Sequence, residues 1–198
     1  VRPEATFAAD YALLFSNATQ IVNTPAKVTT ANFTFEAWVK VDAYTSENHI
    51  FAQYVGGHAG RMVGFLQYTK MCFFIGGNYY VGNTAIPSNT WTHIAVTRSG
   101  GTGSIYINGA LDKSLAVITA ALPTSYGITI GGDSNLNSGF RGQIADVRAW
   151  GLARAQSEIY ASMNTRLSGS EGGLVGYWPA NDGSGTSVNE LVANADGT

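Results

Sequence analysis

Positions 128 to 150 read Ile-Thr-Ile-Gly-Gly-Asp-Ser-Asn-Leu-Asn-Ser-Gly-Phe-Arg-Gly-Gln-Ile-Ala-Asp-Val-Arg-Ala-Trp. Apolar and polar residues alternate at both ends of this stretch, which predicts a short strand over 128–130 and a longer one over 144–150. The loop between them is rich in Gly, Asp and Asn. Asp133 and Asn135 are two positions apart, so on an extended segment both side chains point to the same side. Hard cations prefer such carboxylate and amide oxygens.

The same alternation continues along the rest of the chain. In the strand predicted at 33–41, one face carries Phe33, Phe35, Ala37, Val39 and Val41. The pair Asn108-Gly109 predicts a tight hairpin, because both residues tolerate positive φ. Short strands at near-regular spacing, with one helix predicted over 153–164, indicate an all-β fold built as a two-sheet antiparallel sandwich. No break in composition divides the chain, so we expect residues 1–198 to form a single domain.

Composition and charge argue against several classes of protein. Charged residues make up only 12% of the chain and the net charge is −2, so there is no basic field to attract nucleic acid. No apolar run approaches the roughly 20 residues of a membrane-spanning helix. The chain starts without Met and ends as if approaching another strand, from which we expect a module excised from a longer protein.

Two residue types in the predicted strands are expected to be structural. The single Cys72 cannot form an internal disulfide, and its apolar strand predicts a buried, inert thiol. All four tryptophans fall within predicted strands, so we expect them in the core. They are Trp38, Trp91, Trp150 and Trp178.

Five motifs follow one another in a recognisable order. They are Phe33-Thr-Phe-Glu-Ala-Trp-Val, Trp91-Thr-His-Ile-Ala-Val-Thr, Ile105-Tyr-Ile-Asn-Gly, Gly142-Gln-Ile-Ala-Asp-Val-Arg-Ala-Trp, and Leu174-Val-Gly-Tyr-Trp with Asp182-Gly-Ser-Gly-Thr. Together they resemble the laminin G-like and pentraxin group of concanavalin A-like jelly rolls, over nearly the whole chain. The resemblance implies a jelly-roll sandwich. It leaves the function open, since this fold carries lectins, adhesion modules and glycan-cleaving enzymes.

The pentraxin branch of this group binds calcium through two loops, and the resemblance implies ligands on both. In the second loop they fall on Asp133 and Asn135, after the Ile-Gly pair. In the first loop they fall on Glu47 and Asn48, just before the apolar strand that starts at His49. We therefore expect these four residues to bind Ca²⁺ if the two loops meet. The alternative is that their side chains only bond the backbone of their own turns.

A second candidate site lies between positions 49 and 83. Sugars stack their C–H faces on exposed rings and accept hydrogen bonds from planar polar side chains. The candidates for carbohydrate binding are His49, Tyr54, His58, Arg61, Tyr79 and Tyr80. Tyr79 and Tyr80 are neighbours in a predicted strand, so at most one of them can face a given side. The alternative for each Tyr is packing in the sandwich with its hydroxyl at the rim.

These features favour a non-catalytic carbohydrate-binding, lectin-like module of a secreted or cell-surface protein. We expect a glycan or polysaccharide as its partner, calcium as an aid, and attachment to a polysaccharide-active enzyme. The alternative is a protein-interaction or adhesion module of laminin G type. A glycan-cleaving enzyme is less favoured, because retaining enzymes need two carboxyl groups about 5 Å apart and no predicted strand spaces its acidic residues for that. Asp146 has Arg148 on the same face and is predicted to form an ion pair.

Overall fold

The computed structural model describes residues 11–17, 19–54, 62–116, 118–132, 138–182 and 187–192. Within these ranges the chain forms thirteen strands and one helix. The strands are β1 (Leu13–Phe15), β2 (Val22–Asn23), β3 (Phe33–Val41), β4 (Asn48–Gln53), β5 (Met62–Gln67), β6 (Lys70–Ile75), β7 (Asn78–Ala85), β8 (Thr92–Ser99), β9 (Thr102–Ile107), β10 (Ala110–Leu115), β11 (Ile128–Ile130), β12 (Gly142–Trp150) and β13 (Leu174–Trp178). The helix is α1 (Gln156–Ser162).

The strands form two antiparallel sheets. The seven-stranded sheet has the order β1-β12-β3-β8-β9-β10, with β13 also paired to β12. The six-stranded sheet has the order β2-β11-β4-β5-β6-β7. Neighbours in space are often distant in sequence, as in β12 beside β3 and β11 beside β4. The predicted jelly-roll sandwich with one short helix is confirmed.

The main core lies between the two sheets and follows from the alternation of side chains. The inward face of β3 is fully buried at all five predicted positions, Phe33, Phe35, Ala37, Val39 and Val41. Aromatic rings join the sheets across this core. The ring of Phe35 stacks on Phe51 of β4 at 4.9 Å between centroids, and Phe33 lies 6.0 Å from Phe73 of β6. Burial of these side chains provides the main stabilisation of the fold.

The predicted hairpin at Asn108-Gly109 is confirmed. Both residues have positive φ, 48° and 70°, and they join β9 to β10. A second contact, which the sequence did not predict, ties β10 to β7 across the open edges of the two sheets. The carboxylate of Asp112 accepts hydrogen bonds from the backbone N–H groups of Asn83 and Thr84 at 2.7 and 2.9 Å. A Cβ at Gly82 would lie 2.5 Å from this carboxylate, so the close approach requires glycine.

The helix is shorter than the predicted range 153–164. Ala155 is extended, with φ −70° and ψ 155°, and its N–H donates to the Glu158 carboxylate at 2.6 Å, so the helix begins only at the next residue. The predicted apolar stripe is correspondingly narrow. Ile159 and Met163 are buried, whereas Leu152 and Ala155 are exposed.

The helix packs on the outer face of the seven-stranded sheet, so β3 is covered on both sides. Trp38 Nε1 donates to the carbonyl of Met163 at 2.7 Å. Trp38, Trp150 and Trp178 are buried, as predicted. The prediction for Trp91 was wrong in part. Trp91 lies just before β8 and is only half-buried, although it packs against the cluster that contains Trp38.

A buried carboxylate lies beneath the helix at the centre of the seven-stranded sheet. Glu36 of β3 accepts hydrogen bonds from Trp150 Nε1 at 2.7 Å and from Arg154 Nη1 at 2.9 Å. His93 Nε2 and Arg148 Nη1 lie 3.4 and 3.9 Å from its oxygens. Burial alone would raise the pKa of Glu36, but the His93 hydrogen bond and the charges of His93, Arg148 and Arg154 lower it to about 2.

The same cluster contains the ion pair predicted between Asp146 and Arg148. Arg148 Nη2 donates to Asp146 Oδ2 at 2.5 Å, and Asp146 is almost fully buried. Burial raises the pKa of Asp146 despite the adjacent Arg148 charge. The two carboxylates that contact Arg148, those of Glu36 and Asp146, are thus both buried.

Replacement Glu36→Gln is expected to destabilise the fold and to change its response to acid. Because the pKa falls from 4.5 in the unfolded chain to about 2 in the folded one, the stabilising contribution is complete above pH 4.5 and is lost as pH falls through 2. We expect a loss of about 3 kcal/mol at neutral pH, since the substitution also leaves buried cations unpaired. Urea unfolding followed at several pH values measures both effects.

The control for this prediction is Asp42→Asn, which changes an exposed carboxyl group just beyond the end of the same strand. It should keep the stability and the acid response of the parent chain. Equal stability of Glu36→Gln and the parent at neutral pH would contradict the role given to the cluster.

Candidate functional site

The face of the six-stranded sheet that points away from the main core carries a second apolar cluster. Its buried members are Ala52, Tyr54, Val63, Phe65, Cys72 and Phe74. Strand register brings them together, because Phe65 pairs with Cys72, and Val63 with Phe74. Residues opposite each other in antiparallel strands point to the same side of the sheet. We call this surface the outer face.

Tyr79 is the exposed aromatic ring of the outer face. It pairs with Phe74 across β6 and β7, and its ring lies 4.6 Å from Phe74 and 6.1 Å from Phe65, in edge-on arrangements. The residue nevertheless remains 51% exposed. Tyr80 is half-buried and packs against the main core on the opposite side. The prediction that only one of these two tyrosines can face a given side is therefore confirmed.

His49 and Tyr54 lie within the outer face and not on its surface. His49 is fully buried, with its ring 5.4 Å from that of Phe65. Tyr54 is 3% exposed and belongs to the apolar cluster. Their predicted contribution to sugar binding stays a prediction, and the burial places both behind the surface that a ligand would touch.

Glu47 of the first predicted calcium loop contacts Ser138, which follows the second predicted loop in sequence. The Glu47 Oε2 atom lies 3.0 Å from His49 Nε2. It also accepts a hydrogen bond at 3.4 Å from the Oγ of Ser138, which is 91 positions later in the chain. The backbone repeats this link, since the His49 N–H donates to the Ser138 carbonyl and the Gly131 N–H to the Ile50 carbonyl. The side chain of Glu47 is 27% exposed.

The remaining predicted site residues fall into two groups. Asn48 is fully buried and its amide faces the preceding loop; in the amide orientation that satisfies both partners, Nδ2 lies 3.2 Å from the Ala43 carbonyl and Oδ1 accepts from the Thr45 N–H at 2.9 Å. The others, His58, Arg61, Asp133 and Asn135, lie outside the described residues. Within the described residues, no three His, Cys, Asp or Glu side chains cluster closely enough to hold a metal ion.

Two residues that the sequence analysis did not select form the polar end of the outer face. Gln67 and Lys70 pair across the turn between β5 and β6, and Gln67 is half-buried while Lys70 is exposed. Glu47 precedes Asn48, which pairs with Leu66, so it lies beside Gln67. Alternation along β6 could have identified Lys70, because it lies on the same face as Cys72 and Phe74.

Cys72 lies between this polar end and the aromatic cluster. It is fully buried, as predicted, and its thiol lies 3.8 Å from Gln67 Oε1. Burial raises its pKa to about 11, and among nearby charges Glu47 raises the pKa while Lys70 lowers it. Both charged groups are therefore close to the thiol.

The family of the chain follows from a sequence comparison. A laminin G-like family profile, described as belonging to the Concanavalin A-like lectin/glucanases superfamily, matches residues 15–160. The chain therefore belongs to this superfamily, as its motifs suggested. Mouse pappalysin-1 is 36% identical over 80 residues, which cover 38% of this chain and 5% of that protein.

Solved structures share the fold at low sequence identity. A Bacteroides ovatus protein with a proposed carbohydrate-binding role has a TM-score of 0.76 and 23% identity, over 90% of this chain and 55% of that one. Domain 4 of the extracellular GH43 arabinanase AbnA from Geobacillus stearothermophilus, solved with arabinotriose, has a TM-score of 0.62 and 21% identity, over 76% and 75% of the two chains. The chain thus spans about half of the Bacteroides protein.

Within the described ranges, no helix has the length and apolar character needed to cross a membrane.

The Cys72 thiol is expected to stay unreactive in the folded protein. Only the thiolate attacks a disulfide reagent, and a pKa of about 11 together with full burial suppresses it at pH 8. Reaction with a chromogenic disulfide should therefore proceed only as fast as the chain unfolds. A Cys72→Ala, Tyr79→Cys double variant places an exposed thiol on the same face and should react at once. Equal rates for the two thiols would show that Cys72 is accessible.

Proposed function

We propose that this chain is a non-catalytic carbohydrate-binding module whose ligand contacts the outer face at Tyr79. The observation that carries the proposal is a half-exposed tyrosine ring held by Phe74 and Phe65 at the edge of an otherwise buried aromatic cluster. A fixed ring can stack on the C–H face of a sugar with little loss of side-chain freedom, because its orientation is already set.

Polar groups suited to sugar hydroxyls lie on the same face. The Gln67 amide, the Lys70 ammonium group and the Glu47 carboxylate border the cluster at its other end. Amide and carboxylate groups can each bond two hydroxyls in a plane. Stacking on an aromatic ring combined with planar hydrogen-bonding groups is the chemistry that a glycan site requires.

The wider setting of the module is also a proposal. We propose that it belongs to a secreted or surface protein and is attached to an enzyme that acts on polysaccharide. The arabinanase from Geobacillus supports this, because it is extracellular and one of its domains shares this fold and holds arabinotriose. The low identity makes this support an analogy of architecture.

We further propose that calcium assists binding, held by Glu47 together with Asp133 and Asn135. The partly exposed Glu47 side chain ends in a carboxylate, which suits a hard cation, and Glu47 contacts Ser138, three positions after Asn135. Asn48, the fourth predicted ligand, would contribute its backbone carbonyl or hold the loop at 43–45 in place. Its amide oxygen accepts from Thr45 in the orientation that satisfies both of its partners. A bound Ca²⁺ would supply a positive centre for sugar hydroxyls.

A glycan array followed by calorimetry tests the function. The parent chain should bind at least one class of neutral or acidic glycan, and Tyr79→Ala should weaken that binding about tenfold through loss of the stacked ring. Tyr79→Phe should bind nearly as well as the parent, because the ring remains.

The matched control is Tyr160→Ala. Tyr160 is 48% exposed but lies on α1, which packs on the other sheet, so its loss should leave glycan binding unchanged. Absence of binding to any glycan, with or without calcium, would reject the proposal. Capture of a protein partner that survives Tyr79→Ala, Tyr80→Ala and His58→Ala would instead favour an adhesion module.

Calcium binding is tested separately by titration of the metal-free chain. We expect one site with a dissociation constant roughly in the range 10⁻⁴ to 10⁻³ M, as for other extracellular sites with few carboxylates. Glu47→Gln should weaken it, whereas Glu171→Gln, which changes a half-buried carboxylate in the turn before β13, should not. Unchanged affinity in Glu47→Gln, or no heat of binding in the parent, would reject the calcium proposal alone.

A further inference from the structure

The exposed part of the outer face is a strip that follows the strands. Along β7 it begins with Tyr79, 51% exposed, and continues with the half-buried Val81. At its far end are the exposed Lys70 of β6, the half-buried Gln67 of β5, and Glu47. We call these five residues the outer strip. The register places Tyr79 opposite Phe74, and Val81 opposite Cys72, so the strip runs parallel to β6.

The two ends of the outer strip are too far apart for one sugar ring. Phe74, the partner of Tyr79, and Lys70 are four positions apart on β6. At about 3.3 Å per residue this is roughly 13 Å along the strand. A single pyranose is about as wide as the Tyr79 ring itself, so a monosaccharide stacked there cannot also reach Gln67 and Lys70.

The middle of the strip offers little hydrogen bonding. Phe65 and Cys72 are fully buried beneath it, and Val81 presents only a hydrocarbon side chain. Ligand recognition in the described part of the strip is therefore concentrated at its two ends. Such a surface favours a ligand long enough to bridge an aromatic subsite and a polar subsite.

The charges of the strip point to an uncharged sugar. The described strip has one ammonium group, Lys70, and one carboxylate, Glu47, and both lie near the Cys72 thiol at the same end. These opposite charges balance locally, and the whole chain has a net charge of −2. A polyanionic glycan would find no excess of positive charge on these groups.

We propose that the outer strip binds a neutral oligosaccharide, laid along β6 and β7 with one unit stacked on Tyr79 and another bonded to Gln67 and Lys70. This inference rests on the proposed function and names its ligand class. The length of the ligand follows from the separation of the two ends, and its neutrality from the balanced charges.

Calorimetry of the whole chain with two series of lengthening sugars tests the inference. The probes are arabinose to arabinohexaose and glucose to cellohexaose, with sialyllactose as the acidic comparison. We expect no measurable binding of the monosaccharides. In at least one series, affinity should rise with each added unit until the strip is filled, about tenfold or more in total, and then level off.

Variants at the two ends sharpen the test. Lys70→Ala and Gln67→Ala should each weaken binding of the longest sugar several-fold. They should have no effect on the shortest sugar that still binds through Tyr79, because it does not reach them. Tyr79→Ala should weaken binding at every length, and Tyr160→Ala at none.

The outcomes separate this inference from the proposed function. If a monosaccharide binds as tightly as the longest oligosaccharide, or if Lys70→Ala and Gln67→Ala weaken short and long sugars equally, the bridging ligand is rejected while glycan binding stands. If sialyllactose binds and neither neutral series does, the neutral class is rejected. If no sugar binds, both proposals fall together.

Discussion

The fold depends on one carboxylate that has been removed from water. Glu36 lies at the centre of the seven-stranded sheet, where β3 is buried on both faces, and its partners come from three segments: His93 from β8, Arg148 and Trp150 from β12, and Arg154 from the chain before α1. A buried ion pair is not in itself strongly stabilising, because desolvation offsets much of the attraction. Removing Glu36, however, would leave buried cations without their shared carboxylate. The cluster therefore penalises other registers of these strands and other positions of the helix.

The two sheets differ on the faces that point away from the main core. On the seven-stranded sheet, the face that points away from the main core is covered by α1, with the charged cluster beneath it. Ile159 and Met163 pack against this face, and Trp38 donates to the carbonyl of Met163. The six-stranded sheet instead carries an aromatic cluster on its outer face, where Tyr79 and Lys70 are exposed.

Sequence alone predicted what depends on local pattern. Alternation gave β3 at its observed bounds, the positive-φ pair Asn108-Gly109 gave the hairpin, and period two separated Tyr79 from Tyr80. The sequence alone could not predict contacts between segments that lie far apart along the chain. Alternation assigns Glu36 to a face but does not say that Arg154, 118 positions later, will cover it. The burial of His49 likewise involves Phe65 on the neighbouring strand, a contact that alternation does not predict.

The meeting of Glu47 and Ser138 links the two chemistries proposed for the site. Both ends of the segment between β11 and β12 are fixed to β4, since Gly131 donates to Ile50, His49 donates to Ser138, and Phe140 donates to Gly131. Glu47 is thereby held at the polar end of the outer strip, beside Gln67 and near Lys70. A cation bound to this carboxylate would present itself to the same sugar hydroxyls. Calcium and glycan would then act on one carboxylate, and each would change the affinity for the other by the same factor.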